Sequence, residues 1–405
     1  MKTIEATYRV TTPMFLGGAD NEHAEFRLPS FKGALRFWWR ALAWQRLDGD
    51  LQKIYDQEAD LFGSASGGQA EFLLDVAGDF PEPLQKGTKL REKVESGKVV
   101  GPGARYLGYG VMHAFGSKRK KTEAGQLTRA CLSPGFEFTV RLALKPRKNG
   151  TDADKALEIR NALICLGLFG GLGSKARKGY GSVSLRSIDG EPIAVTPQSF
   201  ARTLLKVASD VGESTGEPAY TAWSDKLRVG AYLGPSKLNG LQLLDSIGRE
   251  LIWFRSNGRV PRDGPDREVL GDPVDPETRR FWADHDLMAA VASRGEAVKS
   301  HPERVVFGLP HNYFFSSIRK GAGVEPVDHD RRASPLLLHV HHFDSHGPAV
   351  IVSFWPANFL PDDEKLSVGR SKVPVETADL WQPIEDFLDF LAEPRFDDHV
   401  FTQLR

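Results

Sequence analysis

Residues 163–181 read LICLGLFGGLGSKARKGYG, and the rest of the chain is best understood outward from this stretch. It contains six glycines, the cations Lys175, Arg177 and Lys178, the aromatic residue Tyr180 and no acidic residue. Glycine allows a backbone to approach a ligand closely, and lysine and arginine donate hydrogen bonds to phosphate. A tyrosine ring offers a surface on which a base can stack. The pattern predicts a loop lying against a polyanion, such as a nucleic-acid backbone.

Three other interpretations of this loop compete with the first. A P-loop needs glycine directly before Lys-Ser/Thr, whereas here Gly173 is followed by Ser174 and then Lys175. A dinucleotide-binding turn must follow a strand and open a helix, but the preceding segment has a helical pattern and the following one a strand pattern. A plain flexible hairpin or linker stays open, because glycine-rich surface turns with lysines are common. No cofactor site is predicted.

Length and composition indicate a multidomain globular protein without general basicity. The 405 residues favour two or three domains, and 53 basic residues balance 53 acidic ones. The charges are nevertheless segregated, since residues 117–148 carry nine basic residues against two acidic ones. The two cysteines lack C-x-x-C spacing, which argues against a disulfide framework or a zinc ribbon. Without a signal-peptide pattern or an apolar run of about 20 residues, we expect a cytoplasmic protein and no membrane partner.

The first half has the periodicity of a split βαβ unit. The expected order is strand, helix, strand, strand, helix, strand, at residues 3–12, 30–47, 69–76, 135–144, 152–168 and 181–188, with Ser30 as the cap of the first helix. A polar, Gly- and Pro-rich insertion covers about residues 78–132. This order predicts a ferredoxin-like antiparallel sheet with both helices on one face. The other face would stay free, as in many RNA-binding modules.

The second half is less regular. Helices are predicted at residues 236–254, 276–292 and 376–391, a strand at 304–315, and a hairpin from 335–343 and 349–355. We divide the chain into residues 1–195 and 196–405 and expect an elaborated second α+β domain.

The helix predicted after residue 29 is the second informative segment, with the sequence PSFKGALRFWWRAL. Lys32, Arg36 and Arg40 lie four residues apart and share one helix face. Gly33 destabilises a helix by about 1 kcal/mol relative to alanine, and close approach of a ligand or of another backbone would justify that cost. The simpler alternative is an ordinary amphipathic helix whose basic residues face solvent.

Several motifs together resemble a known family. They are TPMFLGG at residues 12–18, PSFKGALRFWWR at 29–40, GLGSKARKGYG at 171–181, FGLP at 307–310 and RRASP at 331–335. This combination resembles the RAMP superfamily (repeat-associated mysterious proteins) of CRISPR systems, in particular members from type III-B (Cmr) effector complexes. Residues 78–132 and 211–292 carry no part of the resemblance.

The resemblance implies tandem ferredoxin-like domains and a non-catalytic place in an RNA-guided complex, at the 3′ region of the guide CRISPR RNA (crRNA) and beside other Cmr subunits. Contact with target RNA is left open. The residues expected to face RNA by resemblance are Lys32, Arg36, Arg40, Lys175, Arg177, Lys178, Tyr180, Arg331 and Arg332.

The enzymatic alternative is a RAMP-type, metal-independent endoribonuclease that processes precursor crRNA. His113 is its candidate general base. The sequence HVHHFDSH places His339 and His341 on one strand face and His342 on the other, so these side chains do not converge readily on a metal ion. No metal site is predicted.

Overall fold

The computed structural model describes residues 2–18, 20, 22–65, 67–93, 97–146, 151–212, 216–235, 238–258, 268–274, 279–393 and 399–405. The helices are α1 (Leu28–Arg46), α2 (Leu51–Phe62), α3 (Pro102–Leu107), α4 (Asp152–Phe169), α5 (Pro197–Val211), α6 (Gly240–Arg255), α7 (Trp282–Arg294) and α8 (Gln382–Phe390), with a 3₁₀ helix at Glu303–Phe307. The strands of the first half are β1 (Lys2–Val10), β2 (Phe72–Gly78), β3 (Glu137–Leu144), β4 (Val183–Ile188) and β5 (Glu191–Pro192). Those of the second half are β6 (Arg228–Leu233), β7 (Glu268–Val269), β8 (Asp272–Pro273), β9 (His311–Phe315), β10 (Lys320–Pro326), β11 (Leu336–Phe343), β12 (Gly347–Phe354), β13 (Lys365–Val368), β14 (Ser371–Pro374) and β15 (Val400–Gln403).

The first half forms the predicted ferredoxin-like sheet, with strand order β2-β3-β1-β4-β5. Strand β1 pairs antiparallel with β3 from Lys2 opposite Leu144 to Arg9 opposite Glu137, and alternate residues of β1 are buried. The predicted cap of α1 is wrong, because the helix already begins at Leu28, without a side-chain cap, and Ser30 lies inside its first turn. Helix α2 was not predicted at all.

The second half repeats the same order. Strands β11-β12-β6-β15 form an antiparallel sheet, and with α6 and α8 they give a second β-α-β-β-α-β unit. The additional sheet β14-β13-β10-β9 interrupts this unit. The strand predicted at 304–315 is instead a 3₁₀ helix followed by β9, and α8 is shorter than the predicted 376–391. Parts of the predicted helices 236–254 and 276–292 lie outside the described residues.

The two sheets sandwich α4, which packs against strands of both. On the first sheet, Tyr8 donates a hydrogen bond to the carbonyl of Leu163 in α4 at 2.9 Å. On the second sheet, His339 Nδ1 donates to the carbonyl of Gly170, which caps α4, at 2.7 Å. Because α4 serves both halves, the loop that follows it lies at their junction.

The outward face of the first sheet carries polar and charged residues. Arg141 pairs with Glu5 at 2.8 Å, and the hydroxyls of Thr7 and Thr139 lie 2.9 Å apart. This face therefore offers little aromatic surface for base stacking between β1 and β3. None of the described helices is long and apolar enough to span a bilayer.

Candidate nucleic-acid interface

A groove with a volume of about 650 Å³ lies where α1, the loop after α4 and the second half meet. We call it the arginine groove, because Arg40, Arg177, Arg331 and Arg332 all line it. These four residues come from three segments that are remote in sequence. The structure therefore brings together the three basic stretches predicted to face RNA.

The loop of residues 170–181, which we call the glycine loop, is folded tightly onto the protein. Gly173 has φ of +87°, and a Cβ there would lie 2.4 Å from the carbonyl oxygen of Phe15. The neighbouring amide of Ser174 donates to that same carbonyl at 2.9 Å. Gly181 has φ of +64°, and its Cβ would lie 2.1 Å from Leu172 O. Glycine is required here by the protein's own packing, so neither close ligand approach nor a flexible linker explains these positions.

Arg177 ties the glycine loop to both halves of the protein. Its Nη1 donates to the carbonyl of Ser334 at 3.1 Å and to the hydroxyl of Thr221 at 3.3 Å. Its guanidinium stacks over the ring of Phe37 at 5.2 Å, a cation–π contact with α1. Burial, and then the charge of Arg332, lowers the pKa of Arg177 to about 10, so the side chain stays charged at neutral pH. It forms part of the groove wall and also holds that wall together.

Lys178 points to a different place from Arg177. Its backbone pairs with that of Leu338 in β11, and it does not line the arginine groove. Burial, and then the charges of Arg255, Lys175 and Arg177, together lower the pKa of Lys178 to about 7. Lys178 thus contributes positive potential behind the groove, and at neutral pH it is only partly protonated.

Lys175 lies in the middle of the glycine loop and has a left-handed backbone conformation, with φ of +67°. It is half-buried, and burial, followed by the charges of Arg129 and Arg331, lowers its pKa. Arg129 itself donates to the hydroxyl of Ser174 at 2.9 Å. A positive surface therefore continues from the arginine groove past Lys175 towards the insertion.

Tyr180 does not have the predicted stacking role. Its side chain is completely buried, and its hydroxyl donates to the carbonyl of Ala104 at 2.7 Å. The ring packs edge-on against Phe15. A nucleobase cannot reach this ring, so Tyr180 anchors the glycine loop to α3 instead.

An acidic residue that was not predicted from the sequence, Glu58, partly neutralises the basic row of α1. Buried Glu58 of α2 forms an ion pair with Arg36 and lies 3.4 Å from Nε of Arg40. Lys32 lies over the ring of Phe72 at 5.7 Å. The three basic residues do share one face of α1, and Glu58 fixes the orientation of two of them.

A second groove, of about 670 Å³, continues along this face of α1. Lys32, Arg36 and Lys145 line it together with Gly33. Burial, and then the charges of Arg36 and Lys145, lowers the pKa of Lys32. Since Arg40 lines the first groove and Arg36 the second, the α1 row connects the two.

Arg331 and Arg332 differ in their exposure and in the contacts that their side chains make within the protein. Arg332 donates to the carbonyl of Asn358 at 3.1 Å, lies 6.0 Å from the ring centre of Phe359 and pairs through its backbone with Leu309. Arg331 is exposed and makes no ion pair with any residue that the structure describes. Arg331 is thus the more available of the two for an anionic ligand.

The groove also contains residues that sequence reasoning missed. Tyr220 is half-buried, donates to the carbonyl of Arg40 at 3.1 Å and presents a ring beside the arginines. His329 lies in the groove with its Nδ1 in hydrogen-bond contact with buried Glu364. No local motif marks Tyr220 or His329, because both lie in irregular segments that only tertiary folding brings to the groove.

Two other histidines, His339 and His341, are buried and hydrogen-bonded to backbone carbonyls, which is a structural role. His339 is bound to Gly170, as described above, and His341 Nε2 donates to the carbonyl of Ala194 at 2.8 Å. Burial lowers the pKa of His339 to about 3 and that of His341 to about 4, so both are neutral. His113 is half-buried in the insertion and does not line the arginine groove. Within the described ranges, no group of His, Cys, Asp or Glu side chains could hold a metal ion.

Comparisons with known proteins agree with this fold. Residues 7–184, somewhat less than half of the chain, match the family model of the RAMP superfamily. Among curated proteins it is similar to the CRISPR system Cmr subunit Cmr1-1 of Pyrococcus furiosus, with 23% identity over 361 residues that cover 87% of each chain. It is also similar to Cmr subunit Cmr1-2 of the same organism, with 26% identity over 181 residues, 44% of this chain and 91% of that protein. The crystal structure of apo Cmr1 from Pyrococcus furiosus has a TM-score of 0.56 and 18% identity, and the match covers 100% of this chain and 99% of that one.

Proposed function

We propose that this chain is a non-catalytic RNA-binding subunit of a type III-B CRISPR effector complex, where it holds the 3′ region of the guide crRNA. The observation that carries the proposal is the arginine groove, in which Arg40, Arg177 and Arg331 converge from three distant segments. The similarity to Cmr1 subunits supports the place in such a complex. The arginines bind the ribose-phosphate backbone, since planar guanidinium groups suit phosphate oxygens.

Electrostatics gives RNA binding by the groove a measurable signature. Each phosphate neutralised on a single strand contributes about 0.7 to the slope of log affinity against log salt. Tyr220 takes the stacking role first assigned to Tyr180, because its ring lies in the groove. Phosphate contacts and one stacked ring bind RNA without reading its sequence, as a subunit that accepts many guides requires.

The direct test uses the double variant Arg40→Gln/Arg331→Gln and labelled single-stranded guide RNA. We expect affinity to fall by about tenfold or more, and the salt slope to fall by about 1.4 because two contacts are lost. The matched control is Arg370→Gln/Lys372→Gln, which removes two exposed charges beside α7. Unchanged affinity and slope in the groove variant would refute the proposed RNA site.

The position on the guide needs the assembled complex. A photo-crosslinking amino acid in place of Arg331 should label nucleotides of the 3′ region in complexes purified with the other subunits. Crosslinks confined to the 5′ region would contradict that part of the proposal while leaving RNA binding intact.

One observation favours a second candidate function, an endoribonuclease. The amides of Val327 and Asp328 donate to Glu364 at 2.7 and 2.8 Å, and Glu364 in turn contacts the ring of His329 inside the groove. An imidazole held by a fixed carboxylate can act as a general base towards a ribose 2′-hydroxyl. Incubation of labelled precursor RNA with the protein and a chelator tests this candidate. Cleavage lost in His329→Gln would favour the enzyme over the binding subunit, and His113→Gln tests the histidine predicted from sequence.

A further inference from the structure

We propose that the tip of the insertion, residues 115–122, is a second contact for single-stranded RNA, continuous with the arginine groove. This inference rests on the proposed function, because it extends the path of the same RNA. The tip consists of Phe115, a short turn and the basic run of residues 118–121. We call residues 115–122 the basic hairpin.

The first argument is the exposure of aromatic and basic side chains in one small region. Phe115 is 84% exposed and nearby Tyr109 is 71% exposed. Residues 118–121, Lys-Arg-Lys-Lys, are all exposed and form no ion pair among the described residues. A single exposed aromatic residue is ordinary on a protein surface. Two rings and four unpaired cations within 13 residues form the combination that binds bases and phosphates of a single strand.

The second argument is that backbone hydrogen bonds define the conformation of the basic hairpin. Ser117 and Thr122 exchange two backbone hydrogen bonds, at 2.8 and 3.1 Å, and the amide of Lys121 closes the turn onto the carbonyl of Lys118. At its base, the amide of His113 donates to Gln126 at 2.9 Å. These backbone hydrogen bonds fix the turn that carries the four cations.

The third argument is continuity with the groove. A Cβ on Gly110 would lie 3.9 Å from Cε of Lys175, so the base of the insertion touches the glycine loop. Lys175 is also close enough to Arg129 and Arg331 for their charges to influence it. Arg331 lines the groove, so a positive surface extends from the groove through Lys175 to the hairpin. A single RNA strand leaving the groove on this side meets Tyr109 and then the basic hairpin.

The occupant inferred here is RNA rather than an acidic protein segment. Flat, solvent-exposed rings beside lysines suit stacked bases between phosphates. An acidic peptide would use the four cations and gain little from two separated rings. Substitution of Tyr109 and Phe115 therefore tests whether bases stack on this surface.

The experiment measures binding of a labelled single-stranded RNA to the full chain by fluorescence anisotropy, from about 50 mM salt upward. The charge variant is Lys118→Ser, Arg119→Ser, Lys120→Ser and Lys121→Asn, with Asn chosen because Lys121 has φ of +50°. The ring variant is Tyr109→Ala/Phe115→Ala. The matched control removes four exposed cations elsewhere, at Lys299, Arg319, Arg370 and Lys372. The groove variant Arg40→Gln/Arg331→Gln is measured alongside.

We expect the charge variant to reduce the salt slope by about 2–3 and the ring variant to weaken binding about fivefold or more, while the four-charge control changes neither. If both hairpin variants bind like the wild type and the groove variant is weakened, the inference is overturned and the proposed function stands. If the charge variant is weakened but the ring variant is not, the hairpin contacts RNA phosphates alone, and the base stacking proposed here for Tyr109 and Phe115 is overturned. Wild-type RNA binding that is absent, or unchanged in every variant, overturns both proposals.

Discussion

Gly33 is the residue at which stability and function can be separated most clearly. It lies inside α1, is exposed, and a Cβ built on it meets no atom within 4 Å. The structure thus removes one of the two explanations considered for this glycine, since no described backbone approaches it. An approaching ligand or partner is the explanation that remains.

For Gly33→Ala we therefore expect changes of opposite sign. Alanine should raise the free energy of unfolding by about 1 kcal/mol, because it is the better helix former. RNA affinity should fall, because the added methyl group obstructs the strand lying over Lys32 and Arg36. Denaturant unfolding and RNA titration of the same preparation measure the two effects. A variant that is more stable and binds RNA normally would show that no ligand approaches Gly33.

Lys178 gives a pH dependence whose sign can be worked out. Its pKa falls from 10.5 to about 7 on folding, with burial as the main cause. Between these values the unfolded chain holds a proton that the folded chain releases, so this group makes the free energy of unfolding rise as pH increases from about 7 towards 10. Lys178→Met should remove that rise and stabilise the protein at pH 6 by an amount on the order of 1–3 kcal/mol. Unfolding curves at pH 6 and pH 9 provide the check, and a pH dependence identical in both proteins would contradict the assigned burial.

At the scale of elements, the glycine loop both connects the two halves of the protein and contributes to its charged surface. Its glycines and basic residues, without an acidic residue among them, identified it from the sequence as a candidate functional loop. The tertiary contacts of its glycines were not readable there, because Phe15 lies more than 150 residues away in the chain. Tyr180 shows the same limit, since an exposed and a buried tyrosine look alike in sequence.

Single substitutions in the glycine loop should consequently separate into two groups. Lys175→Ala should weaken RNA binding with little effect on melting temperature. Arg177→Ala should lower both, since it also loses its hydrogen bonds to Ser334 and Thr221. Gly173→Ala should destabilise by about 2 kcal/mol or more, through its positive φ and its contact with Phe15. Thermal melts and RNA titration of each variant check this division.

The control for the glycine substitution is Gly135→Ala. Gly135 also has a positive φ, of +107°, but a Cβ there meets nothing within 4 Å. It isolates the backbone strain, and the excess loss in Gly173→Ala measures the clash with Phe15. Equal losses at the two positions would mean that the loop yields and is not tightly joined to the turn at residues 12–18.

Helix α2 shows why the predicted site was incomplete. Residues 51–62 have an amphipathic pattern and a capping Asp50, so the helix itself was within reach of sequence reasoning. That Glu58 would lie buried between Arg36 and Arg40 was not, because this pairing depends on how α2 packs against α1. A basic row on one helix says nothing about which acids a neighbouring helix places over it.

At the scale of the whole molecule, the duplicated fold was only half visible in the sequence. The first unit has regular alternation and short connections around most of its strands. In the second, β6 and β15 are separated by the sheet β14-β13-β10-β9 and by residues outside the described ranges. Strands that pair over such sequence distances leave no local periodic signal that links them.

The way the two halves are joined predicts how the chain unfolds. Thr11 donates to the carbonyl of Val340 at 2.6 Å, and Ser182 and Ser184 each accept an amide hydrogen bond from β11 at 3.0 Å. With α4 buried between both sheets, neither half can lose its partner without exposing core residues.

We therefore expect residues 1–195 and 196–405 to form one cooperative unit, with the arginine groove lost in the same transition. Far-UV circular dichroism, tryptophan fluorescence and RNA binding should give coincident denaturant curves, and the calorimetric and van't Hoff enthalpies should agree. The two segments expressed separately should fail to fold, while their coexpression should restore a complex that binds RNA, which serves as the control for the chain break. Two separated transitions, or a first segment that folds and binds RNA alone, would show that the halves are independent domains and that the groove does not depend on their junction.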